Sequence, residues 1–453
     1  MSKQYVFDSV NELGSLCADT CRSLWENPEL GGQEKQSADL MRNILSKEGF
    51  VIVNEEKMEH AFYAEYGSGR PVIAFLGEFD ALPGLSQKES TVKEAVTEGA
   101  AGHGCGHNLL GAGAMTAAIA VKRQIEQGKL SGTVRFYGCP EEELLSGKVK
   151  MAYYGMFKGC DIALTWHPGS SNLVIDGGEL ACAYEKFYFS GVTSHAVFAP
   201  ELGRSAMDAV ELMNVGSNYL REHVISSARI HYSSDNCGFP PNIVPSKAVA
   251  WYAVRAPHMA DVRSILGRIE NIAKGAALMT DTQVEMKIQH GCCEIRPNHK
   301  LSDLIWNNMC EAERPVYTEA ELNFAKEMQD TLAPSIVERD RAPYNCNEVM
   351  HSSVSPRNLW EKIPTTASTD AGDVSFQMPM CFFTVANLPF GVAPHTWQAA
   401  AMSGSSIGAK NALYAARIMA GAAYDLLTQP DVTAEIIKEF QDANVEYSPM
   451  YSE

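Results

Sequence analysis

The chain has 453 residues, 45% of them apolar, and a formal net charge of −18. That length favours two or three packed units over a single core. The acidity, with no long Lys/Arg run, excludes nucleic acid as a partner. No apolar run is long enough to span a bilayer, and the first residues lack the basic-then-apolar pattern of a secretion signal. The chain therefore reads as soluble, cytoplasmic and without a membrane partner. Its twelve cysteines have no framework spacing and read as reduced thiols, available as ligands.

In chain order, helical periodicity runs from residue 9 to 48 and is interrupted at Asn27-Pro28, with a second helix from Gln33 to Lys47. Strands are expected at Phe62 to Tyr66 and Val72 to Gly77, the latter an unbroken apolar run suited to a buried parallel sheet. It ends in Glu78-Phe79-Asp80-Ala81-Leu82-Pro83. The stretch His103-Gly104-Cys105-Gly106-His107-Asn108 then sets a thiol and two imidazoles among glycines, before a helix of small and apolar residues from Leu109 to Leu130. Its helix N-terminus would favour a deprotonated Cys105. Taken alone, the motif fits a tight turn around a buried cysteine as well as a metal site. Two further strands, Thr133 to Gly138 and Asp161 to Thr165, run into Pro140-Glu141-Glu142-Glu143 and Trp166-His167-Pro168. Carboxylates, imidazoles and a thiol thus converge on the carboxyl edge of one sheet, where open α/β sheets form sites.

From about Tyr184 the order becomes strand (to Val192), helix (Ser205 to His223), strand (Ser226 to Tyr232), strand (Ala248 to Arg255), helix (Ala260 to Ala277) and strand (Gln283 to Gly291). This is the ferredoxin-like βαββαβ unit. We therefore read an α/β domain made of residues 1–183 and 296–453, with a mixed, largely parallel sheet flanked by helices, interrupted by an α+β domain at 184–295. The second part of the chain carries helices at Ser302 to Arg314 and Thr318 to Leu332 and a loop-rich stretch through Asp370. A buried strand at Cys381 to Ala386, Pro394-His395-Thr396, and helices at Ser406 to Leu427 and Ala434 to Ala443 follow.

Across nearly its whole length the chain resembles the dinuclear metallo-aminohydrolase family of aminoacylases, glutamate carboxypeptidases and auxin-conjugate amidohydrolases. The residues that carry the likeness are Asn27-Pro28-Glu29-Leu30 with Gln33-Glu34, Asp80 to Pro83, His103 to His107, Pro140 to Glu143, His167-Pro168, Ser194-His195-Ala196 and Pro394-His395. Gly77 to Leu82 and Ser368 to Asp373 are also similar to the branch of B-type subunits of p-aminobenzoyl-glutamate hydrolase. The resemblance implies metal-dependent hydrolysis of N-acyl or N-aroyl amino acids, p-aminobenzoyl-glutamate-like compounds first. Its alternatives are dipeptides with a basic C-terminal residue, or a non-catalytic metal-binding subunit. It implies two divalent ions per subunit, zinc or manganese, held by Cys105, His107, Glu143, His167 and His395. Glu142 becomes the general base, and His195 and Asn242 contacts to the tetrahedral intermediate; Asp80, by its own chemistry, would fit as a carboxylate that orients a ligand histidine or the bridging water. Arg255 becomes the cation for the substrate carboxylate. The inserted domain becomes a lid that also dimerises, with a second related subunit as a further partner. Glu78 stands where the peptidase branch has a metal-binding histidine.

Residue chemistry supports several of these roles. Glu142, next to a ligand carboxylate, can take a proton from water and pass it to the departing amine. Against this, Glu141 to Glu143 also reads as a solvated acidic helix start, Asp80 as a turn residue and Arg255 as a surface strand arginine. His103 reads as a structural hydrogen-bonding residue, and His60, His258 and His351 carry no pattern.

Overall fold

The computed structural model describes residues 3–235, 239–362, 366–443 and 445–451. Its helices in chain order are α1 (Gln4–Glu12), α2 (Gly14–Glu26), α3 (Lys35–Lys47), α4 (His107–Glu126), α5 (Gly147–Tyr153), α6 (Ala206–Leu220), α7 (Met259–Thr280), α8 (His299–Glu311), α9 (Glu319–Asp330), α10 (Pro334–Arg341), α11 (Ala371–Val374), α12 (Trp397–Ser403), α13 (Ser406–Thr428) and α14 (Pro430–Asp442). The strands are β1 (Val51–Glu55), β2 (Met58–Ser68), β3 (Val72–Glu78), β4 (Gly132–Cys139), β5 (Ile162–Gly169), β6 (Leu173–Ile175), β7 (Ala181–Ser190), β8 (Arg229–Asp235), β9 (Lys247–Ala256), β10 (Gln283–Cys292) and β11 (Met380–Ala386).

The chain divides into two compact units. The first comprises Met1–Gly178, Arg296–Thr365 and Val374–Tyr447. Its sheet has strand order β1-β2-β4-β3-β5-β11-β6. The central neighbours β4, β3, β5 and β11 run parallel, while β1, β2 and β6 pair antiparallel at the edges. Every residue of β3 is buried, as its unbroken apolar run requires. Helix α4 is buried along most of its length because its small residues let neighbours close on it. A Cβ on Gly111 would meet Glu78 O at 2.4 Å, and one on Gly113 would meet Ala412 O of α13 at 2.9 Å. The start of α4 is thereby locked between β3 and α13, which fixes His107 in space.

The second unit comprises Glu179–Ile295, Thr366–Asp373 and Ser448–Glu453. Its antiparallel sheet has the order β10-β7-β9-β8, which with the chain order βαββαβ is the ferredoxin-like arrangement. Phe187, Phe189, Tyr252 and Val254 alternate onto one face, and their core is completed by buried residues of α6 and α7, including Val210, Met213, Ile265 and Ile269.

Several elements differ from the sequence reading. A break at Leu13 separates α1 from α2, and β8 begins at Arg229 rather than Ser226. Edge strands β1 and β6 were not expected. The first is largely exposed and the second has three residues, so neither carries a strong pattern. Helices α10 and α12 lie in stretches read as loop or left unassigned; Pro334 at the first turn of α10 begins that helix rather than breaking one.

Candidate metal centre

Four neighbouring strands of the first unit bring polar residues to their carboxyl ends. β3 ends at Glu78 and leads to Asp80, and β4 leads to Glu141, Glu142 and Glu143. His167 lies late in β5, and the segment after β11 carries His395. Cys105 and His107 enter from the start of α4. The local backbone is built for this convergence. A Cβ on Gly102 would sit 1.9 Å from Leu85 O, and Gly106 has φ +84°, so the cysteine loop requires glycine at both positions. Glu141, Leu145 and His395 all take positive φ without being glycine, a cost that proteins concentrate at functional segments. The buried Glu34 holds the acidic turn by accepting from Glu141 N at 2.7 Å. His395 N donates to Gly104 O at 2.9 Å and ties its segment to the cysteine loop.

Two groups of ligand atoms result. Those of Cys105, His107 and His167 lie within 4.8 Å of one another, as do those of Cys105, Glu143 and His395. Cys105 Sγ is 3.4 Å from His167 Nε2, and Glu143 Oε2 is 3.5 Å from His395 Nε2. Asp80 is fully buried behind them. Its Oδ1 lies 2.8 Å from His107 Nδ1, and its Oδ2 accepts from Glu143 N at 2.8 Å. One carboxylate therefore orients two of the candidate ligands and leaves His107 Nε2 facing the site. Glu142 is buried too, its Oε2 3.8 Å from His107 Nε2, so the acidic triplet is no solvated helix start. Glu141 turns away to Ser146 and Lys150.

The electrostatics suit an ion. His107 Nε2 and Glu143 Oε1 are buried without a hydrogen-bond partner, a cost that a cation would remove. Burial, with the Glu143 carboxylate beside it, pushes the Cys105 thiol well above its usual range. The helix terminus expected to favour the thiolate is thus outweighed, and a bound cation is what would deprotonate the sulfur. Burial lowers His167 to about 4, with His107 adding to it, so its imidazole is neutral and free to ligate. Burial, joined by Asp80 and Glu78, raises Glu143 to about 7. Asp80 stays below its ordinary value although burial opposes this, because His107 and the Glu143 N–H stabilise its charge. Mixed sulfur, nitrogen and oxygen donors at these separations fit zinc-like divalent ions.

His195, Asn242 and Arg255 belong to the second unit. His195 is exposed beyond the end of β7, where it bridges to Ile243, next to Asn242. Its Nδ1 accepts from Val197 N and Phe198 N at 3.3 and 3.0 Å, which leaves Nε2 as a free N–H donor. Arg255 lies opposite Cys182 at the other end of the same sheet. Its guanidinium is held by two neutral hydroxyls, Tyr184 at 3.0 Å and Ser368 at 3.2 Å. At about 3.4 Å per residue, the stretch from Lys247 to Arg255 separates the two groups by about 27 Å.

His103 Nε2 donates to Leu24 O at 3.1 Å, and burial lowers the imidazole to about 3, in keeping with a structural role. Asp373 accepts from Cys293 N at 2.8 Å within the second unit. Sequence reasoning missed Lys148, whose ammonium lies 2.7 Å from Glu78 deep in the first unit, and it gave Glu34 no role. The only signal for Glu78 and Glu34 was their place in the stretches that carry the family likeness, and Lys148 gave none.

The sequence profile of peptidase family M20/M25/M40 matches residues 74–408. The B-type subunit of p-aminobenzoyl-glutamate hydrolase from Escherichia coli is 38% identical over 97% of this chain and 94% of its own length. Xaa-Arg dipeptidase from Mus musculus is 25% identical over 97% of this chain and 92% of its own. Among solved structures, an aminobenzoyl-glutamate utilization protein from Klebsiella pneumoniae has the same fold, with a TM-score of 0.62 at 17% identity over 93% of this chain and 98% of that one.

Proposed function

Because the chain belongs to peptidase family M20/M25/M40, we propose that it is a metal-dependent amidohydrolase that cleaves N-acyl or N-aroyl amino acids of the p-aminobenzoyl-glutamate type. The observation that carries the reading is the pair of ligand groups sharing Cys105, with Glu142 buried beside them. Cys105, His107 and His167 would hold one divalent ion and Cys105, Glu143 and His395 the other, zinc or manganese being the metals such donors suit. When bound, the ions supply Lewis acidity toward the amide carbonyl and make a water available as nucleophile at neutral pH. Glu142 takes the proton of the attacking water on its carboxylate and delivers it to the departing nitrogen as the C–N bond breaks, giving an acid and an amine. Asp80 keeps the His107 proton on Nδ1, so Nε2 stays a lone-pair donor.

We assign the substrate contacts to residues of the second unit. Arg255, unencumbered by a carboxylate among its hydrogen-bond partners, would bind the substrate carboxylate with its planar fork. His195 Nε2 and Asn242 would donate to the oxyanion. The spacing of about 27 Å between these groups along one sheet is too great for one small substrate to touch both, so we assign His195 and Asn242 to the site of a second copy. A homodimer is supported by β8, an open edge strand, and by the outward face of α6, where Leu212, Val215 and Tyr219 are exposed. Val197 and Phe198, 81% and 88% exposed beside His195, would be covered in such a pair.

A second reading, hydrolysis of dipeptides with a basic C-terminal residue, is favoured by the full-length similarity to Xaa-Arg dipeptidase. It ranks lower because the p-aminobenzoyl-glutamate hydrolase relative is more similar over the same span. The test incubates purified protein, loaded with Zn²⁺ or Mn²⁺, with N-aroyl-glutamates, N-acyl amino acids and Xaa-Arg dipeptides, and reads products by mass spectrometry. Release of p-aminobenzoate and glutamate supports the first reading. Cleavage of only the dipeptides replaces it, and no cleavage of any member refutes both.

A further inference from the structure

Cys182 and Cys292 meet where the main segment of the second unit begins and ends. That segment runs from Glu179 to Ile295, with Cys182 near its start on β7 and Cys292 near its end on β10. The two strands pair antiparallel with Cys182 directly opposite Cys292, and the sulfurs are 3.5 Å apart although 110 residues separate them in sequence. Gly291 allows the approach: a Cβ there would meet Cys182 O at 2.7 Å, so β10 lies tight against β7 at this point.

Opposed residues of an antiparallel pair have Cα atoms about 4.5–5.5 Å apart, inside the span of about 4.4–6.8 Å that a disulfide accepts. The backbone is therefore already placed for a bond, and side-chain rotation has only to bring the sulfurs to about 2.0 Å. Cys17 and Cys21, also hydrogen-bonded to each other, lack this geometry. Both lie on α2, one turn apart, where Cβ atoms are about 5–6 Å from each other and outside the range of about 3.5–4.5 Å that a disulfide needs.

The setting favours reaction over inert packing. A cysteine buried among apolar groups is unreactive, whereas a neighbouring cation favours its thiolate. Arg255 of β9 stands opposite Cys182 on the other flank of β7, its guanidinium anchored by Tyr184 and Ser368. The hydrogen bond with Cys292 lowers the Cys182 thiol against the effect of burial, the Arg255 charge lowers it further, and Cys292 is raised in turn. Cys182 is thus the nucleophile of the pair. Both sulfurs are buried, which restricts the oxidant to one as small as a peroxide.

We propose that Cys182 and Cys292 are a redox modification site, which a peroxide joins into a reversible disulfide that clips β7 to β10 at the two ends of this segment. The Cys182 thiolate attacks one peroxide oxygen and the O–O bond breaks. The hydroxide expelled takes up the proton that Cys182 gave up, and a sulfenic acid remains. The Cys292 sulfur then attacks the Cys182 sulfur, and the sulfenic hydroxyl leaves with the Cys292 proton as a second water. Two thiols are oxidised, one peroxide is reduced to two waters, and a dithiol reverses the step. The loop so closed contains α6, α7 and all four strands of the sheet, so the disulfide stabilises the unit by restricting its unfolded chain.

The test treats metal-loaded protein with graded hydrogen peroxide, alkylates the remaining thiols after denaturation and maps disulfides by mass spectrometry. Peptides linked through Cys182 and Cys292 should appear and should separate again on treatment with dithiothreitol. Cys293→Ser should keep the link and Cys292→Ser should lose it. Oxidation should raise the unfolding temperature of the wild type by several degrees, reversibly, and should give no such rise in Cys182→Ser/Cys292→Ser. Cys310, exposed on α8, reports that the oxidant has acted. Oxidised Cys310 beside intact Cys182 and Cys292 thiols would overturn the proposal, as would a sulfonic acid at Cys182 without a link, or a link to Cys293 instead. An unchanged unfolding temperature in the linked protein would overturn the clip. The mapping is made on the wild type, so it decides the matter even where a variant fails to fold.

Discussion

Asp80 accepts two N–H groups at once, one from each of two candidate ligands, and Asp80→Asn separates its charge from its shape. The asparagine side chain has one acceptor and one NH₂ where the carboxylate had two acceptors. Either the His107 Nδ1–H or the Glu143 backbone N–H, both 2.8 Å from the Asp80 carboxylate, must then face a donor. Losing one buried charge-assisted hydrogen bond costs about 1.5–3 kcal/mol, equivalent to roughly 10–150-fold in an equilibrium constant at 1.4 kcal/mol per decade. If the imidazole yields, its proton moves to Nε2 and blocks the nitrogen that would face the ion. If the backbone yields, Glu143 loses its aim. Both routes reduce metal affinity, so the variant should bind divalent ions about 10–100-fold more weakly while keeping its fold. Chelator competition with metal analysis measures the affinity, and circular dichroism checks the fold. A folded Asp80→Asn with wild-type affinity for both ions would refute the role given to this carboxylate.

Glu142→Gln should keep both ions and lose turnover by about 10²–10⁴-fold, because it removes the proton carrier alone; metal content beside rate checks this, and loss of an ion would make Glu142 a ligand instead. His195→Ala should lose rate while keeping ions and fold, and mixing it with Glu142→Gln should recover partial activity once native mass spectrometry confirms subunit exchange. No recovery in exchanged heterodimers would refute a site shared between copies. Glu185, 2% exposed on β7 with Oε2 unpartnered, is raised to about 7 by burial, with Glu270 adding to it. Because its folded value lies above its unfolded one, the folded state holds the extra proton between about 4.5 and 7, and stability falls as pH rises through that window. Glu185→Gln should therefore raise the unfolding temperature at pH 8 but not at pH 4. Discounted for solvent screening, the gain corresponds to about 1–2 kcal/mol; a pH-independent difference would contradict the cause.

The sequence made much of the convergence legible because Asp80, Glu142, Glu143 and His167 lie at or just beyond the ends of strands with strong apolar runs, β3 most of all. The βαββαβ order of the second unit was legible through its alternation of periods, as in Phe187 and Phe189 on β7. Less could be read where packing rather than local pattern decides. Lys148 sits in Gly147-Lys148-Val149-Lys150, a stretch to which the sequence reading assigned no element, and it is buried while Lys150 reaches Glu141. Likewise, an α4 N-terminus suggests a thiolate at Cys105, but burial, joined by the Glu143 and Glu142 carboxylates, reverses that preference. The separation of Arg255 from His195 follows from strand register, which no single segment encodes.

The dinuclear account is tested most directly by stripping the protein of metal and adding Zn²⁺ or Mn²⁺ in steps while recording both ions bound and hydrolysis of p-aminobenzoyl-glutamate. Turnover should rise with the second equivalent and disappear again on chelation. Full turnover in the metal-free protein, or saturation at one equivalent, would contradict it.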